Sequence, residues 1–75
     1  MPIVLKCFAS LARFMPPDAG AYAVAPGETV GGLAARLGIP PDEVKLVFVN
    51  GGNVELDTVL HEGDSVSLLP AVGGG

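Results

Sequence analysis

Seventy-five residues hold one domain with one modest core, of net stability about 3–5 kcal/mol. Nearly half of them are apolar (49%), enough to fold without staples, yet no apolar run approaches the roughly 20 residues that cross a bilayer. A formal charge of −4 argues against phosphate backbones and anionic membranes as partners, so neither nucleic acid nor membrane is expected, and it suits a partner with a basic docking surface.

The opening MPIVLKCFAS keeps its lone basic residue, Lys6, inside the apolar run instead of ahead of it. It therefore reads as a first strand and not as an export signal, which points to the cytoplasm. With Lys6 in water, Ile3, Leu5 and Cys7 face inward, and Val4 and Phe8 share the outward face with Lys6. The strand pattern runs through IVLKCFASL, and PPDAG at 16–20 is a loop by its turn chemistry. AYAVAP at 21–26 predicts a second strand, paired with the first as a hairpin and closed by Pro26-Gly27.

ETVGGLAARLG at 28–38 predicts a helix, with Thr29 as its cap, Glu28 as favourable charge and Gly38 as its stop. Val30, Leu33, Ala34 and Leu37 give it one apolar face. Gly31 and Gly32 each cost roughly 1 kcal/mol against alanine, so tertiary packing must hold this helix. Pro40-Pro41 prevents its continuation. KLVFVNGGNVELD at 45–57 predicts a third strand, a turn at Asn50-Gly51 and a short return. With Val47 and Val49 inward, Phe48 points out. TVLHEGDSVSLLP adds a turn at Gly63-Asp64 and a last strand, Ser65 to Leu69. There Val66 and Leu68 face in, while Ser65, Ser67 and Leu69 face out. A helix among strands in so short a chain must lie across one face of a single sheet, an α+β sandwich of two layers. The domain spans 1–70, and 71–75 form a flexible glycine tail.

Little in this chain resembles a self-contained active site. His61 is the only histidine and has no partner set, so it reads as an exposed turn residue and not as a metal ligand. Cys7 is the only cysteine; it can form no internal disulfide, and on the inward face it reads as an inert buried thiol. Ser65 and Ser67 are explained as strand exterior. The acids are scattered over turns, with Asp64 serving turn geometry. The glycines at 31–32 and 51–52 lack the Gly-Lys-Ser/Thr ending that grips a nucleotide. The chain does not read as an enzyme, and no bound cofactor or metal is expected.

Two features remain. The sequence closes LPAVGGG, and glycine, lacking Cβ, lets a backbone enter a narrow cleft. From Pro70 to Gly75 an extended chain reaches roughly 20 Å, far enough to carry a carboxylate into a partner's active site. A cloning scar is the competing reading. The second feature is the outward set Phe8, Phe48 and Leu69, which together form a candidate docking surface.

FASLARF, GETVGGLAARL, VFVNGG and LDTVLHEGDSVSLLPAVGGG together resemble the MoaD/ThiS family of sulfur-carrier proteins, over essentially the whole length. The specific part is the combination of Leu60, Gly63-Asp64, Val66, Pro70 and Gly74-Gly75. The resemblance implies a ubiquitin-like β-grasp fold, a single mixed sheet of four to five strands with one helix across it. It also implies a carrier that is not itself a catalyst. An E1-like adenylating enzyme (MoeB/ThiF-like) would bind the sheet face, admit Gly73, Gly74 and Gly75, and use ATP-Mg to adenylate Gly75. A sulfur donor would then leave a thiocarboxylate there. The longer FASLARFMPPDAG segment and SLLPAV look more like the MoaD branch, whose acceptor is the molybdopterin precursor held by the molybdopterin synthase large subunit. A ThiS-like carrier serving thiazole synthase, or a ubiquitin-like modifier joined to lysines, stays open as the alternative.

Overall fold

The computed structural model describes residues 1–70. The first strand, β1 (Pro2–Cys7), shows the expected alternation: Ile3, Leu5 and Cys7 are buried and Pro2, Val4 and Lys6 are exposed. It stops earlier than its apolar pattern suggests. Ala9 takes a left-handed φ of 52°, and the chain turns into a 3₁₀ helix, Ala9–Phe14, anchored by the buried Leu11. A second 3₁₀ turn, Ala19–Ala21, leads into β2.

β2 (Tyr22–Ala23) is far shorter than the strand expected over 21–26. It does pair antiparallel with β1, Pro2 opposite Ala23 and Ile3 opposite Tyr22. Beyond Ala23 the chain bends away. The Glu28 N–H donates to the Ala25 carbonyl (3.0 Å), the Ala25 N–H donates to Glu28 Oε1 (2.9 Å), and Gly27 supplies the positive φ of that turn.

The helix α1 (Val30–Arg36) is bounded more tightly than 28–38, because both ends are closed by caps. Thr29 Oγ1 accepts from the Gly32 N–H (3.1 Å). At the other end Gly38 has φ 83°, with its N–H bonded to the Ala35 carbonyl and that of Ile39 to Ala34. This is a Schellman termination. The remaining free amides of the first turn go to the loop after β4: Val30 N–H donates to Thr58 (3.0 Å) and Gly31 N–H to Leu56 (2.7 Å). Glu28 lies outside the helix and turns to Arg36, whose Nε donates to Oε2 at 2.7 Å and whose Nη2 reaches the Ala23 carbonyl at 2.9 Å. Arg36 thus ties α1 to the β2 edge.

β3 (Leu46–Val49) and β4 (Gly52–Asn53) are joined through Asn50 (φ 55°) and Gly51 (φ 85°), the paired left-handed residues of a tight hairpin. β5 (Ser65–Leu69) matches its expected bounds. The five strands lie in the order β2-β1-β5-β3-β4, with β5 parallel to β1 and antiparallel to β3. Val30, Leu33 and Ala34 of α1 share one core with Ile3, Leu5, Val47, Val66 and Leu68 of the sheet, together with Leu11, Ile39 and Leu60. A mixed sheet grasping one helix is the two-layer architecture the alternation implied. The helix covers one face of the sheet and leaves the other open.

Candidate functional site

Strand register decides which side chains share the open face. In β1 and β5, Val4 lies beside Ser65 and Lys6 beside Ser67; the Phe8 N–H continues the ladder to the Leu68 carbonyl (3.1 Å), which sets Phe8 beside Leu69. Across β5 and β3, Ser67 lies beside Phe48 and Leu69 beside Leu46. Successive rows of one face therefore read Phe8–Leu69–Leu46, then Lys6–Ser67–Phe48, then Val4–Ser65. Phe8 is 44% exposed, Leu46 40% and Val4 38%, while Phe48 and Leu69 are half-buried among them. The three residues expected to form a docking surface, Phe8, Phe48 and Leu69, share this face. Leu46 belongs with them and was missed, although the alternation that put Val47 inward also puts Leu46 outward with Phe48.

The end of the described chain, Leu69 and Pro70, is fixed beside this patch. The Leu69 carbonyl accepts from the Lys45 N–H at 2.9 Å, and Pro70 is buried. Leu69 thus ends the central strand in the row that holds Phe8 and Leu46, and Pro70 follows it directly. Gly73, Gly74 and Gly75, and the whole expected tail 71–75, lie outside the described residues.

The other candidates are placed as their local sequence suggested. Cys7 faces the core, and burial pushes its thiol pKa up, which keeps it protonated and unreactive near neutrality. His61 is exposed in the turn before β5, its Nδ1 3.9 Å from Asp64 Oδ2. Asp64 does organise that turn. Its Oδ2 accepts from the His61 N–H (2.8 Å) and its Oδ1 from the Asn50 amide (2.9 Å), whose own oxygen accepts from the Ser65 N–H (3.0 Å). The His61 N–H holds the Asp64 carboxyl below its ordinary range, with the Asn50 amide and the His61 charge adding to it against the opposing pull of partial burial. Ser65 and Ser67 are half-buried on the open face. The described residues group no metal ligands and form no pocket. The open face is suited to present an apolar surface to another protein.

Comparison with known proteins agrees with this geometry. The model of the ThiS family matches residues 7–75. The solved structure of SAMP1 from Haloferax volcanii superposes with a TM-score of 0.68 at 27% sequence identity, covering 100% of both chains. It has the ubiquitin-like β-grasp fold seen here. No curated protein matches the chain.

Proposed function

The chain belongs to the ThiS family of ubiquitin-like sulfur carriers, and from that premise we propose that its working group is the carboxylate of Gly75. Small carriers of this kind are not catalysts; they work with E1-like enzymes and further partner enzymes. In this reading the Gly75 carboxylate oxygen attacks the α-phosphorus of ATP in the adenylating enzyme, and pyrophosphate leaves. Hydrosulfide released by a sulfur donor then attacks the acyl carbon, the acyl–oxygen bond to AMP breaks, and AMP leaves with a thiocarboxylate remaining on Gly75. Gly73 and Gly74 let the arm pass through a narrow channel, since neither carries a side chain.

The observation that carries this reading is the family match itself, which runs through the β-grasp domain and on to Gly75. The fixed departure point at Leu69 and Pro70 supports it, because docking of Phe8, Leu46, Phe48 and Leu69 would aim the arm. The acceptor proposed is the molybdopterin precursor held by a molybdopterin synthase large subunit. That choice is favoured by the long connection between Phe8 and Tyr22 and by the SLLPAV segment.

The test is the intact mass of the chain after incubation with ATP-Mg, the adenylating enzyme of its source organism and a sulfur donor. The expected product is heavier by the exchange of one oxygen for one sulfur, and the chain lacking Gly75 gains nothing. An unchanged mass beside an adenylating enzyme shown to be active would refute the carrier reading. Transfer of the sulfur to a thiazole precursor, or an isopeptide bond to lysine, would replace the molybdopterin acceptor.

A further inference from the structure

We propose that the adenylating enzyme covers the open face with a surface that is apolar at its centre and places a carboxylate against Lys6. This rests on the docking reading above and adds the chemistry of the partner. The whole-chain charge of −4 suggested a basic partner, but the charges are not spread evenly. All 8 acidic residues lie outside the five strands, and Lys6 is the one charged residue within them.

Lys6 is also central. It sits between Val4 and Phe8 on β1, and Ser67 and Phe48 complete its row. Val4 and Phe8 are separated by roughly 13 Å at the rise of an extended strand. Any surface that touches both must cover Lys6. Among the described residues the ion pairs are Arg13–Glu43, Arg36–Glu28 and His61–Asp64, so the ammonium of Lys6 has no carboxylate of its own sheet to meet. The neighbouring Ser67 hydroxyl is neutral.

Covering an unpaired ammonium with apolar groups is costly, and the cost falls when the covering surface supplies an anion with good geometry. The four-carbon stem of Lys6 can lie along Phe8 or Val4 and still carry its charge to that anion. A basic partner surface would instead place like charges across a dry contact, which disfavours association. The face thus selects partners by sign as well as by shape.

The experiment measures binding of the full chain to the purified adenylating enzyme of its source organism, for wild type, Lys6→Met, Lys6→Glu and Phe8→Asp. Both positions are exposed, and equal urea midpoints confirm that each variant is folded. Lys6→Glu is expected to weaken binding about tenfold or more and Lys6→Met less, since methionine removes the charge without reversing it. A carbodiimide, which condenses amines with carboxylates, is expected to join Lys6 to an acidic residue of the enzyme, located by mass spectrometry of the peptides. Replacing that acid with lysine should restore the binding of Lys6→Glu. Binding by Lys6→Glu as tight as wild type, with Phe8→Asp still strongly impaired, would overturn the charge proposal and leave the docking reading standing. Undiminished binding by Phe8→Asp would remove the docking reading, and this inference with it.

Discussion

Gly31 and Gly32 are neighbours in α1 and carry the same intrinsic penalty, but their surroundings differ. A Cβ built on Gly31 would stand 3.3 Å from the Leu56 carbonyl oxygen, a backbone atom held in place by the Gly31 N–H itself. On Gly32 the nearest atoms are side-chain ones, Thr29 Oγ1 at 3.4 Å and Glu28 Cγ at 3.7 Å. Gly32→Ala is therefore expected to stabilise the chain by up to about 1 kcal/mol, through helix propensity and a less free unfolded chain. Gly31→Ala is expected to lose that gain and destabilise, because the loop carrying Leu56 must retreat from the hydrogen bond. Urea unfolding of the two variants checks the order. If the variants came out equal, close approach of the loop would not be what requires Gly31.

At the scale of elements, two turns at one end of the sheet are tied together by three side-chain hydrogen bonds among Asn50, His61, Asp64 and Ser65. The Asp64 carboxyl titrates below its ordinary range in the folded chain, so its contribution to stability is complete above the unfolded value. It is lost as pH falls from about 4 through the lower folded value. Asp64→Asn is expected to lower stability near neutrality and flatten the acid limb of a stability-versus-pH curve. An unaltered limb would show that the carboxylate does not clamp the turns. This turn was readable in advance, as were β1, β3 and β5. In the strands a single polar residue at the right spacing, Lys6 in β1 or Ser65 and Ser67 in β5, fixes the phase of every neighbour. The chain between Phe8 and Tyr22 was not readable. Nothing in the identity of Ala9 announces a positive φ, and Leu11 is buried by tertiary packing that a strand pattern mimics. The same limit shortened β2: Val24 is buried beside Met1, its N–H donating to the Met1 carbonyl, but the chain is already turning there.

Across the whole molecule, the helix-covered face holds the core, and the open face exposes Phe8, Leu46 and Val4. Leu46 separates the two roles, being an apolar strand residue that is 40% exposed. Leu46→Asp is expected to weaken binding to the adenylating enzyme about tenfold or more while leaving the unfolding midpoint nearly unchanged. Parallel losses of folding and binding would return Leu46 to the core. The candidate surface was legible in part from the sequence. Alternation gave Phe8, Phe48 and Leu69, but which acids lie away from the sheet depends on how the loops fold. The strand order has a consequence for biosynthesis. β5 is the last of the five strands to leave the ribosome, yet it occupies the middle position, bridging β1 and β3. The two edges have no mutual ladder until it slots between them, so a chain lacking β5 can form only the separate β1–β2 and β3–β4 pairs. The residues after Leu69 are therefore joined to the strand whose insertion completes the sheet.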